Sequence, residues 1–349
     1  MAHLRNRHAR SVFDKLIQFS PIVGVFGHRQ VGKTTFLEQT CNSYHSLDDQ
    51  VELDLAVQNP VQFLSKLGRM PSGIDECQLA PPLFPALKEV VRKSKRPGQI
   101  VLSGSVRFYS RQAIRESLTG RLVNIDLLPL SLSELARQDL PVLPLTLIQK
   151  RIFDANLETS ISKKVLKLHS ALVNAYLVFG GLPGVCFIRN ERLRHERLRD
   201  QLELLLDRDL RLVYPTSLSF TQLRDYVSAL ALSDGSVVQP SRLRKITGVS
   251  ELTQKKILHA LESIFIVRQI SVEGDRKGVA LFFEDQAEQR SIALEEIDLL
   301  RSFEGLIYRN LRASFFYSLG LEFRFFQFVA RPDYRVPFAV RTKEGCLGV

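Results

Sequence analysis

The sequence predicts an α/β protein organised on a parallel sheet that carries a phosphate-binding loop. Three observations predict it. The apolar run Ile22-Val23-Gly24-Val25-Phe26 leads into Gly27-His28-Arg29-Gln30-Val31-Gly32-Lys33-Thr34, and Thr35–Gln39 then reads as helix. Strand, glycine loop with Lys-Thr, and helix in that order form a P-loop. Residues 22–128 alternate short apolar runs with helical stretches, the pattern of a parallel sheet with helices on both faces. Downstream, Gly73-Ile74-Asp75-Glu76 places an acidic pair at the end of a short strand.

Each part of the loop has a physical task. Gly27 and Gly32 let the backbone bend and turn its N–H groups toward phosphate oxygens. The helix that starts near Gly32 points the positive end of its dipole at the same place. Lys33 reaches the β- and γ-phosphates and the Thr34 hydroxyl ligates Mg²⁺. The expected binding set for ATP is Gly27, Gln30, Val31, Gly32, Lys33, Thr34 and Thr35, with Thr34 and Asp75 on the metal. The competing reading, an ordinary glycine turn, explains neither the Lys-Thr pair nor the acids.

Asp75-Glu76 fits the order that hydrolysis needs: the first carboxylate holds Mg²⁺, usually through water, and the second polarises the attacking water. The preceding Met70-Pro71-Ser72-Gly73-Ile74 is a poor buried strand, so a short or distorted one is expected. Gln99-Ile100-Val101-Leu102 is a buried strand ending in Ser103-Gly104-Ser105. Ser103 is expected as the sensor between the carboxylates and the γ-phosphate, with Ser105 as a helix cap. Arg121 precedes the strand Leu122–Leu128 and is either an arginine finger on transition-state charge or half of a structural ion pair.

Composition bounds the rest. A chain of 349 residues accommodates two or three domains, and 45% hydrophobic with 24% charged residues describes a globular chain. No apolar run approaches the roughly 20 residues of a membrane helix. The basic start, Met1–Arg10, has no signal-peptide core after it, so a cytoplasmic protein is expected. Cys41, Cys77, Cys186 and Cys346 are far apart and read as reduced thiols. The net charge of +11 resides in residues 1–270, with 37 basic against 25 acidic residues, whereas residues 271–349 are balanced at 11 against 12. Such a balance suits DNA or RNA as a partner and equally suits a soluble protein of basic pI.

Further along, a helix is expected around Ser11–Phe19, another from Asn59-Pro60 to about Leu67, and one over 82–96 that ends in Arg92-Lys93-Ser94-Lys95-Arg96. A helix is expected to follow Ser105. Residues 129–150, with Pro129, Pro141 and Pro144, read as a connector with a short helix around Leu132–Gln138. Residues 160–179 look helical, Phe179–Gly184 is a turn, and 189–213 form one long charged helix. Ser241–Ile246, the turn Thr247-Gly248-Val249-Ser250, and Glu251–Ile264 suggest a helix-turn-helix followed by a strand Phe265–Ser271, as in a winged helix. A DNA reader of this kind would put Thr253, Gln254, Lys255 and Lys256 in the major groove. Val279–Phe283 and Glu322–Val329 are strand-like around a helix from about Leu299 to Phe316.

Taken together, Gly27–Thr35, Leu47-Asp48-Asp49, Asp75-Glu76-Cys77-Gln78, Leu102–Ser105, Ser117–Arg121, Pro129-Leu130-Ser131, Gly180-Gly181-Leu182-Pro183 and Arg208-Asp209 resemble one family. It is that of the prokaryotic AAA-type ATPases with a C-terminal, restriction-endonuclease-like domain of unknown function. The resemblance implies a basic lead-in at 1–20, an AAA-like P-loop domain at 21–135, a helical connector at 136–216, a winged helix at 217–272 and a nuclease-like domain at 273–349. By the same resemblance Glu76 activates water, Ser103 is the sensor, and Arg121 is a finger, in cis or in trans within a homo-oligomer. Phe282-Phe283-Glu284-Asp285 and Ser302-Phe303-Glu304 match the family's acidic strand end and the helix after it. The departure comes where such members show Glu-Val-Asp-Phe, then a strand with Glu-Val-Lys. This chain has Arg335-Val336-Pro337-Phe338 and stops at Val349 before the second motif. A nuclease needs clustered carboxylates, so this end domain is expected to be partial or degenerate. The expected activity is ATP hydrolysis that repositions the later domains. The alternative is a nucleic-acid or protein interaction module that uses ATP as a switch.

Overall fold

Short apolar segments separated by helices give parallel pairing, because each strand must return to the same edge before the next begins. The computed structural model shows this over residues 9–128. It describes residues 4–94, 96–107, 118–140, 170–275, 277–293, 295–319, 323–331, 334–343 and 345–348. Two units are distinguished: Ala9–Leu128 with Ser263–Phe265, and Pro129–Glu262 with the described residues before Ala9 and from Ile266 on.

In the first unit, β1 (Ile22–Gly27), β2 (Ser43–Ser46), β3 (Ser72–Asp75), β4 (Ile100–Gly104) and β5 (Leu122–Leu127) form one sheet in the order β2-β3-β4-β1-β5. Every neighbouring pair is parallel. The helices are α1 (Ala9–Leu16), α2 (Lys33–Thr40), α3 (Gln50–Gln58), α4 (Pro60–Ser65) and α5 (Leu83–Lys93). On α5, Leu83, Phe84, Leu87 and Val91 are buried, one stripe at helical spacing. They join Ile22, Phe26, Ile74, Ile100 and Leu102 in the core of this unit. Asp48-Asp49 opens α3, a helix the sequence reading had not separated: Asp49 accepts from Val51 N and Glu52 N. β3 is four residues long, as its proline and glycine led one to expect.

Register positions the site. Val25 pairs with Ser103 and Phe26 with Gly104, while Ile74 pairs with Leu102. Asp75 therefore stands level with Ser103, and the C-terminal ends of β1, β3 and β4 share one edge. Gly27 is required by packing: a Cβ there would lie 2.4 Å from Leu127 O. Gly32 is required by conformation, with φ +96°.

The second unit holds a mixed sheet in the order β10-β9-β8-β6-β7. Its strands are β6 (Val267–Gly274), β7 (Gly278–Phe283), β8 (Phe323–Arg331), β9 (Tyr334–Thr342) and β10 (Cys346–Gly348). β6 pairs antiparallel with β7 and parallel with β8. The helix Leu299–Leu319 contributes Tyr308 and Phe315, which pack with Phe282, Phe325 and Phe338. The boundary expected at 272/273 falls inside β6, because one sheet takes strands from both sides of it. The helix-turn-helix is found as Pro240–Thr247 and Glu251–Ser263, with Gly248 at φ +72° in the turn. The long helix over 189–213 is Glu191–Leu204, a π-helical turn at Leu205–Asp209, then Leu210–Val213. The helix expected after Ser105, residues 141–150 of the proline-containing connector, and the first part of the 160–179 helix fall on residues outside the described ones; the short connector helix is found at Leu132–Leu135. Among the described residues no helix is long and apolar enough to cross a membrane.

Candidate active site

The loop between β1 and α2 has an unusual backbone, with Gln30 at φ +60° as well as Gly32. No side chain caps α2: its N-cap is Gly32 and makes no side-chain hydrogen bond. A helix start without a side-chain acceptor suits an external anion. Lys33 is buried, and its Nζ donates to Gly27 O at 3.1 Å and His28 O at 3.0 Å. These carbonyls hold the ammonium over the loop. Val31 is buried beneath it, and Thr35 lies exposed on the first turn of α2.

Asp75 is the hub. It is 2% exposed. Its Oδ2 accepts from Thr34 Oγ1 at 2.6 Å and from the Tyr44 hydroxyl at 3.0 Å. Its Oδ1 accepts from Ser103 Oγ and from Glu76 N, the latter at 3.0 Å. Four donors compensate a buried carboxylate that would otherwise be costly. Thr34, Asp75 and Ser103, three of the residues picked from sequence, are thus brought together.

Glu76 is the next residue, held at φ +52° in the left-handed region. A non-glycine residue there is sparsely populated and marks a constrained position. Gln78 Nε2 donates to Glu76 Oε2 and lies 3.4 Å from Ser105 Oγ. Gly104 leaves the space for this: a Cβ would meet Gln78 Oε1. Burial raises the Glu76 carboxyl above its ordinary value, Lys33 opposes that rise and Asp75 adds to it. A more basic carboxylate is a better proton acceptor. Burial, with Asp75 beside it, pushes the Tyr44 phenol up to about 12, so it stays a donor.

Tyr44 and Gln78 were missed as site residues. Tyr44 pairs with Gly73, two positions before the Ser46–Asp75 pair, and its ring leans along the strand toward Asp75. Nothing local in Ser43-Tyr44-His45-Ser46 announces that.

Arg121 is placed elsewhere. Leu122 pairs with Ile22, so Arg121 stands level with Pro21, six residues before Gly27. At ~3.3 Å per residue that is about 20 Å from the loop, beyond the reach of one side chain. Its backbone N donates to Leu118 O and its carbonyl accepts from Ser20 Oγ. Action in cis on the loop's own phosphates is thereby corrected: parallel register puts the start of β5 at the opposite edge.

The residues fit a magnesium nucleotide. Thr34 and Asp75 supply hard oxygen donors in contact with each other, and Mg²⁺ in such sites takes one or two protein oxygens plus phosphates and water. Among the described residues there is no cluster of three or more His, Cys, Asp or Glu that could hold a metal ion.

Residues 19–136 match the family model of an AAA domain, and residues 170–274 match that of a domain of unknown function. The first match covers the P-loop unit, which is thus similar to AAA domains. Uncharacterized proteins of Mycobacterium bovis and Mycobacterium tuberculosis are each 23% identical over 271 residues, 77% of this chain and 54% of theirs. The chain thus spans about half the length of these curated relatives. Among solved structures, the Walker-type ATPase PABY2304 of Pyrococcus abyssi is similar, with 15% identity and a TM-score of 0.46 over 82% of this chain and 94% of that one. The Aeropyrum pernix ORC1 protein in complex with DNA gives 13% identity and a TM-score of 0.30 over 88% and 94%. Residues from 275 onward lie outside both family matches, and neither match names a nuclease.

Proposed function

We propose that this chain binds Mg²⁺–ATP at the β1–α2 loop and hydrolyses it, with Glu76 as the base. The observation that carries the reading is the shared edge: Lys33, Thr34, Asp75, Ser103 and Glu76 come from one helix and the ends of two strands. Lys33 would exchange its two loop carbonyls for phosphate oxygens. Thr34 and Asp75 would hold the metal, and a bound Mg²⁺ would neutralise phosphate charge and polarise the γ-phosphoryl group. Glu76 takes a proton from water, the water oxygen bonds to the γ-phosphorus, and ADP leaves with the electrons of the broken P–O bond. Ser103 keeps Asp75 oriented from below. Arg121, about 20 Å away in its own chain, acts on a neighbouring copy in this reading. The cycle then serves to reposition the later domains.

Binding is tested first with a fluorescent ATP analogue. Lys33→Ala should lose affinity by at least 100-fold; unchanged affinity would contradict the site.

A second reading, an interaction module switched by ATP, is favoured by one surface. Arg242, Arg244, Lys245, Lys255 and Lys256 are exposed on the helix-turn-helix. Gln254 is not a reader: it is buried, and its Nε2 donates to Pro240 O and Val249 O, which locks the turn. Thr253 is engaged with Ser250 at the helix start. Turnover measured with duplex DNA at about 50 and 200 mM salt discriminates the readings: stimulation lost at the higher salt marks phosphate contacts.

A further inference from the structure

The donor set around Asp75 contains one member that the nucleotide reading leaves without a task. Thr34 belongs to the metal in that reading, Ser103 orients Asp75 through its other oxygen, Oδ1, and the Glu76 amide is backbone. Tyr44 remains. It comes from β2, the edge strand, and reaches over β3 to place its hydroxyl 3.0 Å from Asp75 Oδ2. Thr34 Oγ1 contacts the same oxygen at 2.6 Å. Two hydroxyls therefore converge on one carboxylate oxygen, while Ser103 and Glu76 N hold the other.

The arrangement has a consequence for a metal site. The Thr34 hydroxyl has one O–H and two lone pairs, so it can ligate a cation and still donate to Asp75 Oδ2, but a single rotatable hydroxyl on that oxygen leaves the carboxylate plane free to turn. A second donor on that oxygen keeps the carboxylate plane fixed whichever task Thr34 performs. Tyr44 is suited to it. It has two side-chain torsions, so it loses little freedom in being held. Its ring spans from an edge strand to the end of β3. A tyrosine ring can also be there merely to cover the sheet edge, but cover requires no hydroxyl, and phenylalanine would serve.

We infer that Tyr44 is a positioning residue of the metal site: its hydroxyl orients Asp75 for the magnesium of a bound nucleotide. The inference rests on the proposed function, and it separates the loop, which grips phosphate, from the β2–β3 edge, which sets the metal.

The test is a Mg²⁺ titration of affinity for a fluorescent ATP analogue, run on wild type and Tyr44→Phe, with a metal-free arm in EDTA. Wild type should bind more tightly with Mg²⁺ than without. Tyr44→Phe should keep the EDTA affinity within twofold, which also shows that the variant is folded, and should need about 5- to 10-fold more Mg²⁺ for half-saturation. The same Mg²⁺ requirement as wild type overturns the role of Tyr44. Equal loss of affinity with and without Mg²⁺ also overturns it, because the residue would then support the fold or the loop. A wild type whose nucleotide binding ignores Mg²⁺ overturns instead the reading on which the inference rests.

Discussion

At the scale of single residues, the loop glycines are not interchangeable. Gly27 is constrained by Leu127 O, a backbone atom that cannot move aside. Gly27→Ala should cost about 1–3 kcal/mol, the usual range for overpacking, read as a lower melting temperature. Gly32 instead occupies the left-handed region, where a side chain costs roughly 1–2 kcal/mol. The sequence identified both glycines as loop residues but could not separate these causes. One depends on β5 lying beside β1, which the 100-residue gap between them conceals. Asp75 shows the same division. Its place beside the Lys-Thr loop was legible from an acidic pair downstream of that loop, whereas the Tyr44 hydroxyl on it was not, since it depends on where β2 pairs.

At the scale of elements, buried carboxylates tie distant segments together in the second unit. Asp285 is fully buried; its Oδ1 accepts from Ala287 N and Glu288 N, capping Gln286–Ile292, and its Oδ2 accepts from Gly181 N and Leu182 N. Gly180, at φ +67°, leaves room for that carboxylate. The Gly-Gly-Leu-Pro turn was visible in the sequence, but its purpose lay 104 residues away. Asp285→Ala leaves four amides without their acceptor and should destabilise by about 3 kcal/mol or more, seen in denaturant unfolding. Asp234 does comparable work on β7, accepting from Phe283 N at 2.6 Å with Arg309 at 3.9 Å. Burial raises its carboxyl from 3.8 to about 6. The unfolded chain therefore releases this proton first as pH rises, and stability falls between about pH 4 and pH 6. The loss is on the order of 3 kcal/mol. Asp234→Asn should flatten that slope when unfolding is compared at pH 4 and pH 6.5; an unchanged slope would place the titration elsewhere.

At the scale of the whole molecule, the parallel sheet was predictable because strand, loop and helix alternate locally. The later domain boundary was not, because the β6–β8 pairing joins residues some 55 positions apart. The same sheet bears on cleavage chemistry. Arg335, at the position where the sequence comparison expected an acid, donates to Glu304 Oε2 at 2.8 Å and to Gly235 O. With Glu304 held in an ion pair with Arg335 rather than beside a second carboxylate, incubation with DNA and Mg²⁺ should leave the DNA intact. Arg121 at the far edge of its own sheet predicts that specific ATPase activity rises with protein concentration; a flat profile would remove it from the mechanism. Hydrolysis by Glu76 is measured most directly as single-turnover ATP cleavage by wild type and Glu76→Gln, with binding recorded in the same samples. Glu76→Gln should retain Mg²⁺–ATP binding while cleavage slows at least 100-fold. Equal cleavage rates would contradict it.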